Sequence, residues 1–586
     1  MMTCALGSCD VEPSLALLAR ILNSRNDTVD PCEDFYKYAC GSWEGKHSST
    51  KVSRNIFDTL LDENKLILKR LLEAPRFEVR GSAKEKAIQF YRSCMDTQRI
   101  ESQGNQLLKD LINQVGGWNM TGIGKAKDFN ETLQILMGRY NTFPFFRVLV
   151  GPSPFDPRTN VIQEKAPAID WLSCLQAVFH PMPMNLSQPI AVHDMDYLRG
   201  MSQLIEEWHK KRVLHIYMIV CLVGNLSPAL DSRFQDARQE LSKILHGKME
   251  SNMISDERWR KCLTDTSSFF EPVLGQMIVK EIFPQQNKKL AEQMFYEIQN
   301  TLYGQLDQLE WMDEQTRQEA KALVSKLQVE IGYPTYILQT AKVNLEYQNL
   351  EINEDTFFLN VVACLKKIRE NSFLKLLQHH SQDIWQVPPW AVHSYYSLRH
   401  HMVVFPAGMF RSPFFHVEFP SAVNFGAIGV FMAHELLHAF YGYVLPGGCP
   451  TCNRNVLQKS IDCLVKQYEN FGFKVNGTST LLENTADTGG LAIAYQAYKN
   501  WLKKHKQEEY LPKIGLSHDQ LFYFSFAHAM CGHQDPEELK TSLDTDPHSP
   551  LPLRVYGSVS NNQDFVKHFH CPHSSPMNPD SKCHIW

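Results

Sequence analysis

Apolar residues recur at helical spacing along the first half of the chain. Phe57, Leu60, Leu61, Leu68 and Leu72 fall at intervals of three, four and seven residues, with charged residues between them. This period places their side chains on one face of an amphipathic helix. Similar patterns continue to about residue 330, so this part of the chain is predicted to be mainly helical.

Two stretches depart from the helical period. Residues 141–150, rich in aromatic side chains, predict a strand that enters from a proline turn and buries its aromatics in the core. Residues 395–396 and 402–405 predict a hairpin whose second strand, before a proline, ends at an edge of its sheet. An edge strand can bind an extended peptide by main-chain pairing.

An apolar run at 425–432 leads into His434-Glu435-Leu436-Leu437-His438. On a helix the two histidines leave the same face one turn apart and can hold one zinc ion. Glu435 lies beside that face, where a carboxylate can accept a proton from water activated by the metal. Because the motif also occurs by chance, the prediction needs a third ligand.

The segment 481–490 supplies that ligand. Glu483 and Asp487 are also four residues apart, so one helix can place the first carboxylate on zinc and the second behind a zinc-binding histidine. Two histidines and one glutamate leave a coordination position open, which is typical of catalytic zinc. The alternative is a solvated helix face, but the flanking apolar residues favour burial, and buried carboxylates need partners.

Composition excludes several classes of function. The chain has 586 residues, a net charge of -5 and 43% hydrophobic residues, which describes a globular protein with more than one core. No basic block predicts a nucleic-acid partner. The longest apolar run, 216–223, is shorter than the ~20 residues of a membrane-spanning helix, so the sequence as given is not expected to cross a bilayer.

Cysteines and glycosylation sequons favour an oxidising, extracellular setting. The chain has 15 cysteines. The Asn-x-Ser/Thr sequons start at Asn26, Asn119, Asn130, Asn185, Asn225 and Asn476. No signal peptide precedes Cys4, so we expect a chain that starts after a missing membrane anchor.

Several motifs in a fixed order resemble the neprilysin family of zinc metallopeptidases. The HExxH motif at 434–438 is followed by Glu-Asn-Thr-Ala-Asp at 483–487, by Asp-Pro-His-Ser-Pro at 546–550 with Arg554, and by Cys-x-x-Trp at 583–586. The resemblance covers almost the whole chain, beginning with Asp-Pro-Cys-Glu-Asp-Phe-Tyr at 30–36.

The resemblance implies a mainly α (α+β) fold, in which a thermolysin-like zinc peptidase domain is capped by a second helical lobe and the two enclose a cavity. We therefore expect a disulfide-tied leader at 1–41, a mainly helical lobe at 42–330 and the catalytic domain at 331–586. Family members carry some tens of further helical residues near 164–166. An internal deletion there is expected to shorten the helical lobe of this chain.

The resemblance also assigns the chemistry. One zinc ion per chain would be held by His434, His438 and Glu483, with Asp487 supporting a ligand and Glu435 acting as general base. His548 would donate to the oxyanion of the transition state, whereas by itself it is typical of a surface histidine in a proline-rich loop. Arg554 would hold the substrate carbonyl or the C-terminal part of the substrate.

The chain departs from the family at His393-Ser394, where most relatives have Asn-Ala. The family asparagine holds the substrate backbone, and histidine differs from it in reach and donor pattern. His393 and Ser394 are therefore candidate substrate-binding residues whose identity predicts altered affinity for substrate.

The family pattern implies five disulfides, which pair Cys4 with Cys9, Cys32 with Cys571, Cys40 with Cys531, Cys94 with Cys364 and Cys463 with Cys583. Spacing alone does not fix such pairings. Cys449 and Cys452 lack the second pair of a structural zinc site and the context of a thioredoxin-like motif, which leaves a local bridge or two free thiols.

Two functions compete at this point. The first is a zinc endopeptidase that acts on small bioactive peptides or their precursors, including endothelin-type precursors by resemblance. The second is a cell-surface type II membrane glycoprotein, weak or inactive as an enzyme, that acts as antigen or scaffold for a multi-pass membrane partner. In one branch of the family a membrane-proximal cysteine makes that link, and it would precede residue 4. The retained ligands and base favour the enzyme.

Overall fold

The computed structural model describes most of the chain. It describes residues 3–5, 8–10, 12–47, 53–74, 79–117, 127–148, 150–152, 160–162, 169–185, 194–208, 212–246, 258–377, 385–449, 451–472, 474–505 and 514–586.

Helices account for most of the described residues, as predicted. The helices of the first half are α1 (Pro13–Ser24), α2 (Phe35–His47), α3 (Ile56–Glu73), α4 (Ala83–Met95), α5 (Thr97–Gln103), α6 (Gln106–Val115), α7 (Phe129–Tyr140), α8 (Trp171–Phe179), α9 (Met195–Trp208), α10 (Arg212–Leu226), α11 (Ser232–His246), α12 (Arg258–Ile282) and α13 (Gln285–Gln305). They are followed by α14 (Glu314–Lys326), α15 (Thr340–Glu346), α16 (Phe357–Leu377), α17 (Ser421–Asn424), α18 (Val430–Leu437), α19 (Tyr441–Val444), α20 (Arg454–Glu469), α21 (Leu481–Lys504), α22 (His518–Ala529), α23 (Pro536–Thr545), α24 (Leu551–Ser560) and α25 (Gln563–Phe569).

The strands are short. They are β1 (Thr3–Ala5), β2 (Ser8–Asp10), β3 (Arg54–Asn55), β4 (Val150–Pro152), β5 (Asn160–Ile162), β6 (Gln328–Gly332), β7 (Tyr395–Ser397), β8 (Met402–Pro406) and β9 (Gly532–His533). The pairs β1-β2, β3-β9 and β4-β5 are two-stranded and antiparallel, and β6, β7 and β8 form a three-stranded sheet.

The chain forms two compact units that interleave along the sequence. The first unit contains residues 1–67, 277–334 and 387–586, and the second contains 68–276 and 335–386. The contiguous boundaries predicted at 41 and 330 therefore differ from the structure. Within the first unit, α13 packs against α21 and β6 pairs with β8, which draws 277–334 to the C-terminal residues.

The predicted hairpin is confirmed, but its place in the sheet was wrong. Strand β8 is central, because it pairs with β7 in antiparallel orientation and with β6 in parallel orientation. All five residues of β8 are buried. Within the hairpin the edge strand is β7, not β8, because β6 comes from a distant part of the chain and forms the other edge of the sheet, beside β8.

The strand predicted at 141–150 is wrong over most of its length. Residues 141–148 form no regular element, and β4 begins only at Val150. Side chains bind the backbone here instead of a neighbouring strand, since the Tyr217 hydroxyl donates to the Pro144 carbonyl at 3.0 Å and the Tyr197 hydroxyl donates to the Phe145 carbonyl at 2.6 Å. Phe145 is buried, as expected.

Three of the predicted disulfides are confirmed and one is wrong. The confirmed bridges are Cys32–Cys571, Cys40–Cys531 and Cys463–Cys583. Cys94 pairs with Cys262 and not with Cys364, which is buried and unpaired. In the second unit α12 lies against α4, and the guanidinium of Arg258 donates to the Cys94 carbonyl at 2.8 and 3.0 Å.

The remaining cysteines bear on the other predictions. The backbones of Cys4 and Cys9 are paired between β1 and β2, but their side chains lie outside the described part, and so does the predicted bridge. Cys449 and Cys452 are two buried, unpaired thiols.

Two described helical stretches are long and apolar enough to cross a membrane by length and composition. They are Arg212–Ala229, 39% buried, and Ser421–Val444, 94% buried. The second stretch runs through the core of the first unit and carries the HExxH motif.

Candidate metal centre and active site

The HExxH motif lies in a continuous buried helical stretch. A π-helical turn, Phe425–Gly429, joins α17 to α18, and a 3₁₀ turn, His438–Phe440, joins α18 to α19. Gly426 permits close packing against α22, because a Cβ there would lie 2.2 Å from the Phe522 carbonyl oxygen. The buried helix thus presents His434 and His438 on one face within the core.

Helix α21 brings the acidic residues to that face. A Cβ on Gly490 would lie 3.0 Å from the backbone nitrogen of His434, so the absence of a side chain lets α21 approach α18 closely. Glu483 and Asp487, four residues apart on α21, therefore reach both sides of the His434 ring.

Three candidate ligand atoms converge. Glu483 Oε2 lies 3.1 Å from His434 Nε2 and 3.3 Å from His438 Nε2. Ligands about 2.0–2.1 Å from a tetrahedral zinc ion lie about 3.3 Å from one another, so the three atoms fit such an ion. Glu483 Oε2 is also buried without a hydrogen-bond partner, which a metal would provide.

The charges around His434 set its protonation. Burial by itself would lower the pKa of His434, but the neighbouring carboxylates of Asp487 and Glu483 raise it to about 10. Burial would raise the pKa of Glu483, but the His434, His438 and His548 rings hold it far below its usual range. A proton and a metal ion compete for the same ring nitrogen, so metal binding would release a proton.

Asp487 lies between His434 and Arg554. Asp487 Oδ1 is 2.8 Å from His434 Nδ1, and the Arg554 guanidinium donates to both Asp487 oxygens at 2.7 Å. Burial would raise the pKa of Asp487, but the charges of Arg554 and His434 hold it well below its usual range. The fork of Arg554, predicted to hold substrate, is thus directed at Asp487.

His548 reaches the same group of ligand atoms from another element. Its Nε2 lies 3.2 Å from Glu483 Oε2, and its Nδ1 lies 2.9 Å from Asp546 Oδ1. Burial would lower the pKa of His548, but the neighbouring carboxylates of Asp546 and Glu483 raise it. Its side chain is 35% exposed, so it combines an anchored ring with access to solvent.

A cavity of about 340 Å³ opens in front of these residues within the first unit. The sequence-predicted residues that line it are His393, Ser394, His434, Glu435, His548 and Arg554. One part of the wall is apolar, with Phe57, Val392, Met409, Phe431 and Leu551, and another is polar, with Ser53, Asn55, His533 and Gln534.

Two contacts were missed at the sequence level. The Tyr441 hydroxyl donates to Glu483 Oε1 at 3.1 Å, and the Ser394 hydroxyl donates to Glu435 Oε1 at 2.7 Å. Tyr441 follows His438 by three residues, so helical spacing could have indicated it. The Ser394 contact joins residues 41 positions apart and leaves no local signal.

Solved structures match the fold over nearly the whole chain. A zinc metalloprotease of Mycobacterium tuberculosis, ZMP1, has a TM-score of 0.76 at 20% sequence identity, covering 96% of this chain and 99% of that one. PepO of Lactobacillus rhamnosis has a TM-score of 0.74 at 18% identity, covering 95% of this chain and 100% of that one. These matches show that the chain has the mainly helical fold of those two proteins.

The chain belongs to peptidase family M13, the neprilysin family. Family models match residues 393–585 and, in two pieces, 31–165 and 162–334. The pieces meet where the sequence predicts an internal deletion.

Curated relatives match over the full length of this chain. It is 38% identical to the Kell blood group glycoprotein of Homo sapiens, over 100% of this chain and 90% of that protein. It is 34% identical to endothelin-converting enzyme 1 of Bos taurus, over 99% of this chain and 89% of that protein.

Proposed function

We propose that this chain is a zinc-dependent endopeptidase with one zinc ion held by His434, His438 and Glu483. The observation that carries the proposal is the convergence of three candidate ligand atoms. His434 Nε2 lies 3.1 Å and His438 Nε2 lies 3.3 Å from Glu483 Oε2. When bound, zinc supplies a Lewis acid that polarises the scissile carbonyl and acidifies water. The third protein ligand leaves a coordination position open for the reaction.

The residues of the chain perform the proton transfers and position the substrate. Glu435, 7% exposed and lining the cavity, takes a proton from the attacking water and passes it to the leaving amine. His548 donates to the developing oxyanion. Asp487 fixes the orientation of His434, and Arg554 fixes Asp487.

An extended peptide is the substrate that this cavity fits. Strand β7 lies at an edge of its sheet, where an extended peptide can add by main-chain pairing, and the residues before it, His393 and Ser394, line the cavity. The apolar wall favours a bulky apolar side chain next to the scissile bond. We propose small bioactive peptides or their precursors as substrates, endothelin-type precursors among them, because endothelin-converting enzyme 1 is a relative.

The setting we propose is the cell surface, with the chain as the ectodomain of a type II membrane glycoprotein. The long-range disulfides and the kinship with a blood group glycoprotein support it. The competing function, an antigen or scaffold for a multi-pass membrane partner, would need neither the base nor the metal ligands.

The test compares zinc content and peptide hydrolysis of the unmutated chain and of Glu435→Gln. We expect about one zinc per chain in both proteins, since Glu435 is not a ligand, and a loss of turnover by several orders of magnitude in the variant. His434→Ala is the matched control and should lose the zinc. Equal turnover with and without the Glu435 carboxylate would reject the proposed base.

A further inference from the structure

A serine hydroxyl is fixed on the carboxylate of Glu435. The Oγ of Ser394 donates to Glu435 Oε1 at 2.7 Å, and the two residues are 8% and 7% exposed. A charge-assisted hydrogen bond this short, shielded from water, is among the stronger contacts in a protein. It joins the loop before β7 to the metal-binding helix α18.

The backbone that carries Ser394 is anchored on both sides. After it, Tyr395 pairs with Val404 of the buried central strand β8. Before it, the side-chain amide of Asn64 donates to the carbonyls of Trp390 and Gly408 at 2.9 and 3.1 Å. The hydroxyl is therefore presented from a rigid frame, as a positioned donor requires.

The contact gives the two oxygens of Glu435 different roles. Oε1 accepts the Ser394 proton, whereas Oε2 lies 3.9 Å from His438 Nε2, on the side of the metal ligands. One oxygen is thus held by the protein, and the other is left to accept a proton at the reaction centre. Rotation of the carboxylate would break the bond to Ser394, so the bond selects one orientation.

We propose that Ser394 is a positioning residue for Glu435, an inference that rests on the proposed peptidase function. Ser394 directly precedes the edge strand on which the peptide would align, so one residue links the alignment of the substrate with the orientation of the base. Misplacing a base by a fraction of an ångström lowers the rate of the chemical step more than it lowers substrate affinity.

The first experiment separates kcat from KM. For Ser394→Ala we expect kcat to fall about 10- to 100-fold, because the variant loses one hydrogen bond to a charged group. KM should change less than about two-fold, and the zinc content should not change. Ser394→Thr, which keeps a hydroxyl, should restore most of kcat. Ser525→Ala is the matched control, because Ser525 is a buried serine of α22 whose hydroxyl donates to the Leu521 carbonyl at 2.7 Å.

Several results would overturn the proposal. For Ser394→Ala these are an unchanged kcat, a rise in KM alone or a loss of zinc. A loss of kcat in Ser525→Ala as large as that in Ser394→Ala would also overturn it. Absence of both zinc and turnover in the unmutated chain would instead reject the proposed function, and this inference with it.

The second experiment does not depend on turnover. The affinity of a peptide hydroxamate, which chelates zinc and gives a proton to a nearby base, is measured by calorimetry for Ser394→Ala, Glu435→Gln and the double variant. Ser394→Ala should weaken binding several-fold in the unmutated background and have little effect beside Glu435→Gln. Additive effects of the two substitutions would overturn the proposal, since Ser394 would then act independently of Glu435.

Discussion

At the scale of single residues, the proposed metal ligands depend on contacts behind them. Glu483 uses Oε2 towards the histidines, and its other oxygen is held by the Tyr441 hydroxyl at 3.1 Å. The Tyr441 ring also lies 4.2 Å from the His438 ring, so it supports two ligands at once. Residues in this supporting position tune metal affinity as well as geometry.

Tyr441→Phe should therefore weaken zinc binding. The substitution keeps the ring and removes the donor to Glu483, and contacts of this kind are worth about ten-fold or more in metal affinity. Competition with a chelator measures the dissociation constant. Tyr443→Phe is the control, since Tyr443 lies on the same turn and its ring contacts Phe440. Equal zinc affinity in both variants would show that the Tyr441 hydroxyl does not support metal binding.

His528 should make the protein acid-sensitive. Burial lowers its pKa from 6.5 to about 4, so below about pH 6.5 the unfolded chain binds a proton that the folded chain does not. The free energy of unfolding should fall by about 3 kcal/mol between about pH 7 and about pH 4 from this group alone. Urea unfolding at the two pH values measures this loss. His528→Gln should lose less unfolding free energy on acidification than the unmutated chain, whereas His573→Gln, a change on the surface, should lose as much as the unmutated chain.

At the scale of elements, local periodicity predicted the parts of the site that lie on single helices. His434 of α18 and His438, which begins the 3₁₀ turn after it, lie one helical turn apart. Glu483 and Asp487 have the same spacing on α21, so spacing alone places each pair on a face. The neighbours of β8 were not predictable in this way. Strand β6 lies about 70 residues before β8, and its pairing makes β8 the central strand only after the chain has folded.

The same limit applies to Cys94, whose partner depends on which helix packs against α4. In the second unit Cys262 of α12 occupies that place, and the buried thiol of Cys364 is unpaired. The loop closed by Cys94 and Cys262 spans 168 residues. In the loop-entropy model such a bridge stabilises the fold by about 5 kcal/mol.

Cys262→Ser should accordingly lower the free energy of unfolding by several kcal/mol, whereas Cys364→Ser, which removes no bridge, should cost much less. Guanidinium unfolding measures both, and peptide mapping without reduction should yield the peptide pair containing Cys94 and Cys262. Recovery of Cys94 bridged to Cys364 would show that the pairing in the family pattern holds here after all.

At the scale of the whole molecule, the proposed metal site depends on segments from three parts of the sequence. Helix α13 packs against α18 and α21, and α2 is tied to the C-terminal residues through Cys40 and Cys531. A fragment with residues 331–586, the catalytic domain that the sequence predicted, lacks both helices and most of β6.

That fragment should neither bind zinc stoichiometrically nor unfold cooperatively, because the apolar faces of α18 and α21 lose their partner. Calorimetry and metal analysis, with the full chain as reference, check both expectations. A fragment that binds one zinc and shows a single sharp unfolding transition would mean that the first unit does not need its two earlier segments.

The bridge between Cys32 and Cys571 bears on how the protein is made. A ribosome adds about 5–20 residues per second, so Cys32 emerges roughly half a minute to two minutes before its partner, 539 positions later. During that time its thiol must be kept from reacting with the cysteines made in between. Correct pairing of Cys32 therefore calls for a disulfide isomerase, and the yield of folded protein should depend on one.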